Sequence, residues 1–165
     1  MLTNSSKIDL GEYGVLGLFF GTCYIYKYPA LTWVSMVGDL VQSLRAAHPH
    51  LSIVLSTILP RPGDFSQSDP RVKCFNQQLV YWGRGHGVPV LEPHRLFFEE
   101  KSGFKSVKGK LFYDGLHLRS NGDTKTNGAA LLRNFFANKL ETESALQALL
   151  RKAESAGRFP NFFKP

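Results

Sequence analysis

The chain has little cysteine. Two residues in 165, Cys23 and Cys74, are too few for a disulfide framework, and no Cys-x-x-Cys pair offers a redox couple or half a zinc site. Five histidines (His48, His50, His86, His94 and His117) fall into no zinc spacing with the cysteines. His48-Pro49-His50 reads as two solvated histidines at a helix end. No apolar run reaches the roughly 18 residues that span a bilayer. The opening, MLTNSSKIDLGEYG, has neither the basic segment nor the apolar stretch of a signal peptide, so the expectation is an intracellular, cytoplasmic chain with no membrane span. There is no GxGxxG, no Walker A sequence and no internal repeat, and no cofactor is expected.

What the chain does have is apolar material. It is 43% hydrophobic and 13% aromatic, enough to build a core rather than a disordered segment. Its net charge of +7 makes salt-sensitive contact with nucleic acid a partner class to consider. The basic residues are scattered, however. The densest stretch, Lys101, Lys105, Lys108 and Lys110, reads as a solvated, mobile loop.

Along the chain, YGVLGLFFGT (13–22) predicts a strand buried on both faces, followed by a turn. Thr32 is the expected N-cap of a helix whose apolar stripe is Trp33, Met36, Val37, Leu40, Val41 and Leu44. That helix should stop near His48-Pro49. LSIVLSTILP (51–60) predicts a second buried strand. Asp69-Pro70 predicts an N-cap with proline at the first helical position, opening a helix that ends near Gly83. GVPVLEP (87–93) gives a third short strand, and 94–111 reads as irregular. NGAALLRNFF begins another helix, and Glu141–Ala156 carries Ala145, Leu146, Leu149, Leu150 and Ala153 on one face. Alternating strands and helices predict an α/β parallel sheet with right-handed crossovers and a site beyond the carboxyl ends of its strands.

The chemistry is concentrated in LFYDGLHLRSNG, residues 111–122. A histidine acts as a general base when a carboxylate fixes its tautomer and aims the free nitrogen. Asp114, three residues before His117 across Gly115, is placed to do this. The alternative is structural: a carboxylate that satisfies backbone N–H groups in a turn. Cys23, on the turn after the first strand, is the candidate for a Cys–His nucleophile couple; the alternative is an inert filler. Tyr24, Tyr26 and Tyr28 either line a pocket above the sheet edge or simply cover it.

LGLFFGTCY, followed two strand–helix units later by LFYDGLHLRSNG, resembles the SGNH (GDSL-like) hydrolase family, with a look of the hydrolase-like domains carried by some animal retroelements. STILPRP, FNQQL and Gly122 extend the likeness over roughly residues 10–138. The resemblance implies a three-layer, flavodoxin-like parallel sheet and hydrolysis of carboxylic esters of small substrates. It makes His117 the base and Asp114 its orienting acid, and aligns Gly21 with the glycine of the oxyanion block. The family's oxyanion asparagine falls on Cys23, a weak donor, and the aspartate after it falls on Tyr24. The family's nucleophile block, Gly-Asp-Ser, does not occur in this sequence.

The expected organisation is a polar leader (1–9), an SGNH-hydrolase-like domain incomplete on its amino side (10–138), and an amphipathic helix with a flexible tail (139–165). Ser5 and Ser6 lie in the leader. Three functional readings follow: an esterase-like domain inactive as this chain, a hydrolase completed by another polypeptide or exon, and a basic nucleic-acid or assembly module. A missing first strand–helix–strand would also leave a sheet edge open to self-association.

Overall fold

The computed structural model describes residues 10–155 except 12, 102, 103 and 124, and not the side chains of 101, 104 and 143–155. Three parallel strands form the central sheet in the order β1 (Val15–Leu18), β2 (Ser52–Ser56), β3 (Val90–Leu91). Leu16 pairs with Ile53 and Leu18 with Leu55 across β1 and β2. The alternation of side chains along each strand turns Ile53 and Leu55 toward α1 (Ala30–Ala47) and α2 (Phe65–Gly85). Gly17 faces the other way, where Leu140 of α3 (Gly128–Ser155) lies against it. The result is helix, sheet and helix in three layers: the parallel sheet follows the alternating pattern, and the three layers are those the family resemblance implies.

The core between sheet and helices centres on Trp33, Val37 and Val41 of α1, Phe75 and Leu79 of α2, and Ile58 beyond β2. The apolar stripe of α1 rotates from its expected position. Val34 and Gly38 are buried with Trp33, Val37 and Val41, while Met36 is 48% exposed. Gly38 sits inside because the indole of Trp82 packs on it.

Four expectations are corrected. The first strand is not buried on both faces: among the described residues it has one neighbour, β2, and its residues remain partly exposed. α1 begins at Ala30 with Pro29, not Thr32, in the cap position, and no side chain caps it. α2 begins at Phe65, before Asp69-Pro70. Pro70 lies inside the helix, and Asp69 pairs with Lys73 one turn on (2.6 Å) instead of capping. Residues 94–101 and 104–111 are not irregular. A 3-10 turn (Pro93–Phe97) leads into an antiparallel hairpin of β4 (Phe98–Lys101) and β5 (Phe104–Val107). In place of a solvated loop, Lys105 lies 4.4 Å over the Phe98 ring and Lys108 donates to the Leu96 carbonyl at 2.9 Å. The physical reason is cross-strand pairing, Phe98 opposite Val107 and Glu100 opposite Lys105, which holds the two segments together as a ribbon.

α3 runs unbroken through residues 138 and 139 into the segment expected as a separate tail helix. The face formed by Ala145, Leu146, Leu149, Leu150 and Ala153 lies outside the described side chains, as do Ala156 and the leader with Ser5 and Ser6. Asn127 caps α3: its Oδ1 accepts the Ala130 N–H at 2.8 Å. Among the described residues no helix is long and apolar enough to cross a membrane.

Candidate active site

The DGLH segment is the tip of a narrow hairpin. Leu111 and Phe112 are each 2% exposed and anchor it in a second apolar cluster with Leu59 and Phe97. Phe112 bridges Leu118, the Tyr113 N–H donates to the His117 carbonyl (2.8 Å), and the Arg119 N–H donates to the Leu111 carbonyl (2.9 Å). The chain direction of residues 113–117 is thus set by backbone bonds on either side of the tip.

Inside the tip the carboxylate of Asp114 collects three donors. Its Oδ1 accepts the N–H of Leu116 at 3.0 Å and of His117 at 2.8 Å, and its Oδ2 lies 2.7 Å from Nδ1 of the His117 ring. The His117 backbone N–H first, then its ring, then the Leu116 N–H hold the Asp114 carboxyl far below its ordinary range. With Nδ1–H given to the carboxylate, Nε2 carries the ring's free lone pair. The His117 side chain is 73% exposed.

Three loops meet at the carboxyl ends of the strands. Gly115 (φ 80°) lies on Gly63 of the turn after β2, and the Gly63 N–H donates to the Gly115 carbonyl at 3.0 Å. That turn is tied in its own right to the loop after β1. Arg61 donates to the Thr22 carbonyl (2.9 Å) and grips both carboxylate oxygens of Asp64 (3.0 and 2.9 Å). Tyr26 donates its hydroxyl to Asp64 at 2.9 Å, and its ring stacks with the guanidinium groups of Arg61 and Arg71 at 5.3 Å. Burial pushes Asp64 up, but the hydrogen bonds from Arg61 and Tyr26 outweigh it and leave its carboxyl below the ordinary value. Asn76 of α2 fixes the strand end itself: its amide accepts the Ile58 N–H (2.7 Å) and donates to the Ile58 carbonyl (2.9 Å).

Asp114 and His117 are therefore in direct contact. Gly21 stands at the carboxyl end of β1 with φ 117°, where an added Cβ would sit 2.5 Å from the Trp33 ring, so the position demands glycine. Cys23 lies on the next turn, Thr22–Tyr24, with an exposed side chain. Among the described residues no hydrogen bond joins Cys23 to His117, and no hydroxyl or thiol bonds Nε2. The tyrosines divide: Tyr24 and Tyr28 pair at 5.9 Å, whereas Tyr26 serves the latch on Asp64. Among the described residues no cluster of histidine, cysteine and carboxylate side chains could hold a metal ion. The sequence reading missed Arg61 and Asp64. Their signal is RPGD itself, a Pro-Gly turn flanked by opposite charges three apart.

Solved structures share this fold. A GDSL-like lipase from Bacteroides thetaiotaomicron superimposes with TM-score 0.62 at 10% identity, over 79% of this chain and 63% of that one. A protein named as an acylhydrolase from Bacteroides fragilis gives 0.62 at 14% identity, over 79% and 62%. The fold is that of the GDSL-like hydrolases. A protein from Streptococcus pneumonia named for platelet activating factor gives 0.51 at 19% identity, over 76% of this chain and 60% of that one. The chain thus spans less than two thirds of the length of each of these GDSL-like neighbours and relatives of the fold. No protein-family model matches the sequence, and no curated protein does.

Proposed function

We propose that the chain carries the base half of an SGNH-type ester hydrolase site and is inactive by itself because it lacks the nucleophile block. The observation that carries this reading is the 2.7 Å contact between Asp114 Oδ2 and His117 Nδ1, with Nε2 exposed at the edge where the three loops converge. In the complete reaction Nε2 takes the proton of an attacking hydroxyl and returns it to the leaving alcohol, and Asp114 stabilises the imidazolium formed between the two steps. Gly21 and Cys23 occupy the oxyanion block. A thiol there donates weakly, and loss of one good oxyanion donor costs about 3 kcal/mol of barrier stabilisation.

The test is hydrolysis of a short-chain aryl ester by the purified chain and by His117→Ala. Equal background rates support the reading. Turnover by the natural chain that disappears in His117→Ala would mean that the chain holds a nucleophile of its own, and Cys23→Ala would be the next variant.

A second reading, completion by another polypeptide, is favoured by the share of the GDSL-like neighbours' length that this chain leaves unmatched and by the outer edge of β1, which has no partner strand among the described residues. Supplying a strand–helix–strand that bears Gly-Asp-Ser should then produce ester turnover dependent on His117. The open edge would otherwise pair with a second copy, which a concentration-dependent sedimentation coefficient detects.

A further inference from the structure

A cleft of about 620 Å³ runs between α2 and the β4–β5 hairpin, and neither Asp114, His117, Gly21 nor Cys23 lines it. Its α2 wall is Phe65, Asp69, Val72, Asn76, Val80 and Arg84, at spacings of three and four. The cleft thus follows one face of the helix from end to end, about 28 Å at 1.5 Å per residue. It is a groove rather than a round pocket. Its volume spread over that length leaves it roughly 5 Å wide, the spacing between neighbouring extended chains.

Charge is ordered along the groove. At one end Phe65 packs edge-on against Phe98 (6.1 Å), and Lys105 lies 4.4 Å over the Phe98 ring. At the other end stand Arg84 and the largely exposed Tyr81. The other cations of the groove are matched by its own carboxylates: Lys73 pairs with Asp69 (2.6 Å) and Arg95 with Glu92 (2.9 Å). No ion pair joins Arg84 or Lys105 to a carboxylate among the described residues. The groove is therefore positive at its two ends and balanced elsewhere. His94 adds an uncharged polar group. Its Nδ1 is 2.9 Å from the hydroxyl of fully buried Thr57, which leaves Nε2 for a ligand. Burial, with Arg95 and Lys105 adding to it against Glu92, pushes the ring below the ordinary histidine value, so it stays uncharged at pH 7.

We propose that this groove binds an extended peptide segment of a partner protein, acidic at both ends and uncharged between them. Cations at opposite ends suit a long ligand, not a small anion. An extended chain of roughly eight residues spans the groove at about 3.3 Å each. Arg84 meets one acidic end and Lys105 the other. A nucleic-acid strand fits less well, because it carries a charge at every unit and the balanced stretch has none to spare. The chain's own carboxyl segment has the wrong charge: residues 156–165 include Arg158 and Lys164 and no acidic side chain. This inference is independent of the ester-hydrolase reading, because it uses none of the same residues.

The test is calorimetric titration of the full chain at low salt with the peptide acetyl-Glu-Glu-Phe-Ser-Ser-Phe-Glu-Glu-amide, accompanied by NMR of the histidine rings. Saturable binding of one peptide per chain is expected, moving the His94 signals and leaving those of His117 in place. The same peptide with glutamine for glutamate should bind about tenfold more weakly or worse. Arg84→Gln and Lys105→Gln should each weaken binding about two- to fivefold, the range of one exposed charge contact. The double variant should show the product of the two losses, because the contacts are independent. A charge-matched control on α3, Arg133→Gln/Lys139→Gln, should bind as the natural chain does, because neither residue lines the groove. All four side chains are exposed, so the variants keep the fold. Absence of saturable binding, equal binding of the glutamine peptide, a loss in only one of the two single variants, or movement of His117 in place of His94 would overturn the proposal. Octathymidylate binding more tightly than the peptide, with the His94 signals moving, would assign the groove to nucleic acid instead.

Discussion

The contact between Gly115 and Gly63 yields a prediction in which two similar substitutions behave differently. A Cβ on Gly115 would lie 2.6 Å from the Gly63 Cα and 2.7 Å from the Gly63 nitrogen. Both are backbone atoms, so no side chain can swing aside; the two loops must part by about an ångström to reach ordinary contact. Gly115 also has φ 80°, a left-handed conformation that costs an alanine about 1–2 kcal/mol. Parting the loops breaks the Gly63 N–H bond to the Gly115 carbonyl, about 1 kcal/mol more. Gly115→Ala should therefore destabilise the chain by about 2–3 kcal/mol. In the reverse substitution, a Cβ on Gly63 would meet the Gly115 carbonyl oxygen at 3.3 Å and its Cα at 3.4 Å, and Gly63 has no left-handed φ. Its small crowding is offset by the roughly 0.4–1 kcal/mol an alanine gains by restricting the unfolded chain, so Gly63→Ala should be close to neutral.

Urea unfolding measures the difference. The Gly115→Ala midpoint should fall with an unchanged slope, since the surface exposed on unfolding is the same. Thermal unfolding should drop by roughly 4–12 °C for a chain of this size. Amide exchange at Gly63 should quicken in Gly115→Ala alone. Equal midpoints for the two variants would refute the stacked-glycine account of how the DGLH tip is held to the turn after β2.

Other outcomes follow from single contacts. Asn76→Leu leaves the N–H and carbonyl of buried Ile58 unsatisfied and should cost about 2–5 kcal/mol, read as a lower urea midpoint. The Asp114 carboxyl is depressed in the folded chain. Its contribution to stability is fully present above the ordinary aspartate pKa of about 3.9 and is lost as pH falls through the depressed folded value. A carboxyl-carbon NMR titration should find Asp114 still ionised at pH 3. His117→Ala should leave stability within about 0.5 kcal/mol of the natural chain, because the side chain is largely exposed.

The sheet and its helices were legible because their signals are local and repeated. LSIVLSTILP is a run of β-branched residues closed by proline, and Trp33, Val37 and Val41 recur at helical spacing; both patterns survive into the core. The errors lie where a long-range partner decides. Asp69-Pro70 has the chemistry of a helix start, yet the helix begins five residues sooner, where Phe65 packs against Phe98 of a hairpin distant in sequence. The burial of β1 depends on a second neighbouring strand, which no local pattern encodes. Asp114 and His117 meet because a hairpin tip closes within five residues, but spacing alone left open a carboxylate that serves only its own turn, and both kinds of bond are present. The latch of Arg61, Asp64 and Tyr26 was not, because it joins residues 38 apart in sequence.

The same locality limits what the intact DGLH motif says about catalysis. Two of the three donors to Asp114 are backbone N–H groups of its own turn, and they would be satisfied there whether or not the ring worked as a base. An aspartate at this position stabilises a left-handed turn on structural grounds alone. The ring contact separates the two roles. Asp114→Asn keeps an oxygen for the Leu116 and His117 N–H groups, so the turn persists, but an amide does not favour the imidazolium as a carboxylate does. In any form of the protein that turns over ester, Asp114→Asn should cut kcat by orders of magnitude while the unfolding midpoint moves little. A fall in stability with no fall in rate would assign Asp114 to the turn and leave His117 to act unaided.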